Sequence, residues 1–153
     1  MKLSEVIPQI EKLKKEGKKI ITTNGCFDIL HRGHAYYLQE AKKLGDVLVV
    51  GINSDASVKS LKGEGRPLNK AHDRAYLISQ LKSVDFVFVF EESLPNEFLK
   101  KVAPHIHVKG GDYQVESLPE YKLLHSMGAK VVTIPFVEGY STTSTLNKVR
   151  AGE

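Results

Sequence analysis

The sequence predicts an α/β fold: a single domain built on one doubly wound parallel sheet of about five strands, with helices on both faces. Two patterns predict it. Short apolar, β-branched runs alternate with amphipathic runs at helical spacing, and the links between them are brief. The run at 47–52 is apolar at every position, as a strand covered on both faces should be. The length suits one domain with a real core, taken as 1–153, with an N-terminal helix over 1–17 and the core of the fold over 18–150.

The elements follow in order. Leu3, Val6, Ile7, Ile10 and Leu13 recur at helical spacing among lysines and glutamates, and Gly17 stops this first helix. The first strand is 19–23, and the chain turns at Gly25. A helix over about 33–44 turns Tyr37, Leu38, Ala41 and Leu44 inward. Gly45 and Asp46 lead into the second strand, 47–52, and Asn53-Ser54-Asp55 offers a helix cap. Residues 59–69 are glycine-rich and basic and read as a mobile loop. A helix follows over about 70–81, then a strand at 86–90 and a short helix from Pro95 to residue 102. The fourth strand is 106–109, a helix covers about 119–126, and the fifth strand is 131–134. Residues 139–143 make a polar turn into the last helix.

Composition narrows the class. Hydrophobic content of 41% with 26% charged residues belongs to an ordinary globular protein. One cysteine excludes an internal disulfide and suits a reducing, cytoplasmic setting. The start of the chain is polar and amphipathic rather than a signal peptide, and no apolar run approaches the ~20 residues that span a bilayer. The net charge of +4 suits phosphate-rich small molecules, and no long basic block or stacking platform points to nucleic acid.

The residues that carry chemistry cluster after the strands, where such sheets bind ligands. The first strand leads into Gly25-Cys26-Phe27-Asp28-Ile29-Leu30-His31-Arg32-Gly33-His34. His31 and His34 are spaced i, i+3 on one face of a first helical turn, and Gly33 between them lets a ligand approach the backbone. Unpaired N–H groups and the helix dipole make that place an anion site. Histidines at a helix start are also common as plain polar residues, and a metal-spaced His/Cys set is missing. Asn24, Gly25 and Asp28 suit a tight polar crossing. Ser141-Thr142-Thr143-Ser144-Thr145 is either a helix cap or a phosphate cradle approached across Gly139. Lys109-Gly110-Gly111-Asp112 is either a turn or a phosphate contact. The 59–66 segment is either a solvated face or a lid carrying Lys62 and Arg66. Asp112, Asp28 and Asp55 either position Mg2+ or only cap and turn.

The stretch from Gly25 to His34 resembles the HxGH signature of the cytidylyltransferase-like nucleotidyltransferases. Lys109-Gly110-Gly111-Asp112-Tyr113 and Glu138-Gly139-Tyr140-Ser141-Thr142-Thr143 resemble that superfamily's later motifs. Over about 18–149 the order and spacing are most similar to the bacterial D-glycero-β-D-manno-heptose 1-phosphate adenylyltransferases. The resemblance implies the Rossmann-like HxGH nucleotidyltransferase fold and transfer of AMP from ATP to heptose 1-phosphate, giving ADP-heptose and pyrophosphate with Mg2+. It implies that His31, His34 and Lys62 are catalytic. It places nucleotide contacts at Thr22, Thr23, Asn24, Gly25, Cys26, Phe27, Gly33, Lys109, Gly111, Asp112, Tyr113, Glu138, Ser141, Thr142 and Thr143, with Asp112 also beside the metal. Sugar-phosphate contacts fall on Asp28, Asn53, Asp55 and Arg66. Further implications are a homodimer, a separate heptose kinase and phosphatase in the pathway, and a product used for lipopolysaccharide or another heptose glycoconjugate. Glycerol-3-phosphate cytidylyltransferases carry an arginine where this chain has Phe136, which argues against CTP and glycerol 3-phosphate. A nucleotide-binding regulatory module without catalysis is the alternative of another class.

Overall fold

The computed structural model describes residues 1–152, so residue 153, the last of the expected domain, lies outside the described residues. The strands are β1 (Ile20–Gly25), β2 (Val47–Asn53), β3 (Phe86–Phe90), β4 (Ile106–Gly110) and β5 (Lys130–Ile134). The helices are α1 (Leu3–Lys15), α2 (Arg32–Lys42), α3 (Asp55–Lys62), α4 (Ala71–Ser79), α5 (Asn96–Val102), α6 (Tyr121–Ser126) and α7 (Thr142–Ala151). All neighbouring strands are parallel, in the order β3-β2-β1-β4-β5. The predicted parallel sheet with helices around it is therefore present.

Strand periodicity builds the two faces. Ile20, Val47 and Val49 point to one side, where they pack with Val6 and Ile10 of α1 and Phe98, Leu99 and Val102 of α5. Ile21, Leu48, Val50 and Ile52 point to the other, with Leu38 and Ala41 of α2 and Ile78 of α4. Every residue of β2 is buried, which its unbroken apolar run requires.

Two elements differ from the sequence reading. β1 runs on through Asn24 and Gly25, because these pair in register with Gly51 and Ile52 of β2. The turn falls instead on Phe27, which takes a left-handed backbone (φ +46°) that only a well-supported residue holds. The segment at 59–69 is not one loop. Residues to Lys62 continue α3, begun by the Ser54 cap whose Oγ accepts the Ser57 N–H at 3.2 Å. Residues 66–69 are anchored: Asp28 accepts from Arg66 Nε at 2.8 Å and from the N–H groups of Leu68 and Asn69 at 2.9 Å. Asp28 is only 2% exposed, so burial drives the loop to satisfy its carboxylate.

Candidate active site

The strand order reverses between β1 and β4, so the crevice of the sheet opens at the carboxyl ends of those two strands. Asn24 and Gly25 end one side, and Lys109 and Gly110 end the other. Lys109 Nζ reaches across to Asn24 Oδ1 at 3.4 Å.

The turn after β1 sets the start of α2 over this crevice. The Phe27 ring lies against Gly25, where a Cβ would stand 2.9 Å from Phe27 Cε2. The same ring meets His34 edge-on with centroids 5.2 Å apart. His31 caps α2, and its backbone N–H donates to His34 Nδ1 at 3.4 Å. The two imidazoles stack at 3.8 Å with planes 19° apart. Gly33 makes this possible. A Cβ there would stand 2.9 Å from His31 Cε1 and 3.1 Å from Tyr140 Cβ. Its absence lets the imidazole and the segment before α7 both close on the first turn.

The second helix start converges from the other side. Ser141 Oγ accepts the Ser144 N–H at 3.0 Å, and Thr142 Oγ1 donates to the Ile29 carbonyl at 3.4 Å. The Ser/Thr run thus caps α7 and ties it to the turn before α2. Two positive helix ends, two imidazoles and one ammonium bound the same crevice, an arrangement that attracts a polyanion. His31 Nδ1 is buried and lacks a hydrogen-bond partner among the described residues, as a group awaiting a ligand oxygen would.

Both histidines are held neutral. Burial, followed by the adjacent His31, pushes the His34 imidazole down to about 4, with the Ile29 backbone opposing. Burial also lowers His31. Neutrality has one consequence for stability. The unfolded chain protonates His34 near its ordinary 6.5, before the folded chain does. The contribution is whole above about 6.5 and is lost as the pH falls through about 4. Urea denaturation should therefore show stability dropping by up to about 1.4 kcal/mol per pH unit between about 6.5 and about 4. In His34→Gln that slope should flatten; an unchanged slope would place the titration elsewhere.

The remaining residues read from the sequence sort into available and engaged. Lys62, Asp112, Tyr113, Glu138 and Thr143 are exposed, and Cys26 is partly so. Gly111 (φ +116°) turns the chain after β4, with the Tyr113 and Phe136 rings against it. Thr22 and Thr23 are fully buried and their hydroxyls are spent inside, on His107 Nδ1 at 2.8 Å and on Tyr37 and the Val108 carbonyl. The sugar-phosphate set is also engaged within the protein. Asp28 pairs with Arg66, Asp55 with Arg74 at 2.8 Å, and Asn53 donates to Ser57 Oγ at 3.0 Å. Among the described residues no three His, Cys, Asp or Glu side chains group as a metal cage. A single exposed carboxylate, Asp112, still fits Mg2+ carried mainly by substrate phosphates.

Three residues escaped the sequence reading. Arg74, fully buried, donates to the Cys26 carbonyl at 2.6 Å and the Asn69 carbonyl at 2.9 Å, locking the turn to the loop. Its signal was a cation on the inner stripe of α4, four residues before Ile78. His107 and Glu120 are buried behind Lys109; a histidine inside an apolar strand was the signal for the first. Burial opposes ionisation of Glu120, but His107 and Lys109 outweigh it and hold the carboxyl down to about 2.

Residues 22–146 match the model of a family described as cytidylyltransferase-like. Two curated proteins called bifunctional protein HldE are similar. That of a Nitratiruptor species is 54% identical over 139 residues, which cover 91% of this chain and 29% of that protein. That of Aliarcobacter butzleri is 49% identical over 142 residues, covering 93% and 29%. The chain thus spans under a third of the length of these relatives. The crystal structure of the lipopolysaccharide core biosynthesis protein from Thermoplasma volcanium superposes with a TM-score of 0.65 at 32% identity, covering 82% of this chain and 100% of that one. Pantothenate synthetase from Thermus thermophilus shares the fold alone, with a TM-score of 0.57 at 14% identity over 84% of this chain and 60% of that one. Among the described residues no helix is long and apolar enough to cross a membrane.

Proposed function

The chain belongs to the cytidylyltransferase-like family and is a nucleotidyltransferase, and from that premise we propose that it transfers AMP from ATP to D-glycero-β-D-manno-heptose 1-phosphate. The products are ADP-heptose and pyrophosphate. The observation that carries the reading is the stacked His31–His34 pair at the α2 start, which follows the β1 end where Asn24 meets Lys109. The resemblance of residues 25–34, 109–113 and 138–143 to the heptose 1-phosphate adenylyltransferases supports the heptose phosphate, and the similar lipopolysaccharide core biosynthesis protein supports use of the product there.

The mechanism needs positioning more than proton transfer. A phosphate oxygen of the sugar phosphate is already a nucleophile, so no general base is required. That oxygen forms a bond to the α-phosphorus while the bond to the bridging β-phosphate oxygen breaks and pyrophosphate leaves. Catalysis then consists of aligning the three centres and stabilising charge on the equatorial oxygens. Imidazole N–H groups of His31 and His34 donate to those oxygens, and the N–H groups opening α2 receive the phosphate chain past Gly33. Lys109 faces the chain from β4, and Lys62 approaches from the end of α3. Asp112 would hold Mg2+, which when bound shields the triphosphate charge. Tyr113 and Glu138 border the nucleotide in this reading, and the active form is a homodimer.

The test is pyrophosphate release with Mg2+ and each of ATP, CTP, GTP and UTP, offered with heptose 1-β-phosphate, glycerol 3-phosphate or FMN. Release with ATP and the heptose phosphate alone is expected. Release with CTP and glycerol 3-phosphate would move the chain to the cytidylyltransferase branch. ATP binding without release from any acceptor would favour a regulatory module.

A further inference from the structure

Behind Lys109 lies a carboxylate that the reaction itself does not use. Glu120, at the start of α6, has a side chain 3% exposed, with Oε1 at 3.3 Å from Lys109 Nζ and 3.7 Å from His107 Nε2. Neither Oε1 nor His107 Nε2 finds an aligned hydrogen-bond partner among the described residues. His107 in turn is held by Thr22, inside the sheet. A buried carboxylate needs charged neighbours, and here those are Lys109 and His107. What Glu120 does accomplish is local. It holds the ammonium of Lys109, a flexible side chain 23% exposed, back against the sheet, and Asn24 completes the grip at the mouth of the crevice.

We propose that Glu120 is a positioning residue: through its buried carboxylate it fixes Lys109 at the junction of β1 and β4, where the ammonium meets the phosphate chain. This rests on the nucleotidyltransfer reading above. A lysine otherwise samples many rotamers, and ordering it in advance removes an entropic cost from binding and from the transition state. The buried His107 lies 3.7 Å from the same Oε1, and Thr22 keeps His107 in place.

The experiment is a double-mutant cycle of Glu120→Leu and Lys109→Ala, reading kcat, KM and Kd for ATP beside urea denaturation. Glu120→Leu, read at urea concentrations where it remains folded, should lose about 10-fold to 100-fold in kcat/KM. Lys109→Ala should lose about 100-fold or more, and the double variant no more than Lys109→Ala alone. Glu120→Gln, which keeps the volume and removes the charge, carries the same test if the leucine variant does not fold. Losses that multiply, or full activity in Glu120→Leu or Glu120→Gln, overturn the proposal. If the parent binds ATP but turns over no acceptor, the reaction assignment fails, and the cycle is read on Kd: coupling there sustains the positioning role and additivity removes it. A parent that binds no ATP overturns both.

Discussion

His31→Ala is expected to lower kcat/KM for pyrophosphate release by about a thousandfold while leaving the fold intact. The asymmetry follows from where the ring sits. His31 caps α2 through its backbone, which alanine retains, and its ring stacks on His34 rather than entering the core. Its Nδ1 has no partner within the described residues, so removing the ring strands no buried group. The stability change should stay below about 1 kcal/mol, as for most partly exposed positions. Activity loses a donor aimed at the charge that develops on the α-phosphate, the kind of contact worth about 100-fold to 1000-fold. His34→Ala should match it in activity and cost more stability, because that ring also packs on Phe27 at 5.2 Å. Steady-state kinetics beside thermal unfolding separates the two effects. A folded His31→Ala enzyme within tenfold of the parent would remove this imidazole from the phosphate contacts.

The sequence carried the sheet more fully than the site. β2 and β3 were legible because burial on both faces leaves an unbroken apolar run that little else produces. The end of β1 was not. Asn24 and Gly25 look like turn residues, and only pairing with Gly51 and Ile52 makes them strand. α3 was hidden because its glycine-flanked, basic residues have the composition of a loop, while the Ser54 cap and Val58 in the core decide for a helix. Asp28 and Arg66 were legible as charged groups beside the site, but their attraction to each other was not. They are 38 residues apart, and only the fold brings Arg66 Nε to Asp28. Thr22 and Thr23 illustrate the same limit: a strand residue's hydroxyl can face a ligand or a neighbouring strand, and here β4 claims both. His31, Gly33 and His34 were legible because their spacing alone puts them on one helical turn.

Arg74→Ala should be among the most destabilising single changes in this chain, at about 3–5 kcal/mol. The guanidinium is fully buried, and three of its nitrogens are committed: Nη1 to the Cys26 carbonyl, Nε to the Asn69 carbonyl and Nη2 to Asp55. Alanine leaves a void and two carbonyls without their donor. Each unsatisfied buried group costs about 1–3 kcal/mol, so the void and the carbonyls together reach the expected range. Against a total of about 5–15 kcal/mol for a domain, that is a large share. Asp55→Ala provides the contrast. Its carboxylate is half exposed, but its loss leaves one nitrogen of the buried guanidinium without this partner, so the cost should be about 1–3 kcal/mol. Urea midpoints of the two variants decide what Arg74 is for. If Arg74→Ala costs far more than Asp55→Ala, the carbonyls carry the effect, and the guanidinium is a cross-link between the turn at Cys26 and the loop at Asn69. Equal losses would mean that the ion pair dominates. In the first case the same variant should weaken ATP binding even where it remains folded, because the turn that Arg74 clamps is the one that leads Phe27, His31 and Gly33 into the crevice.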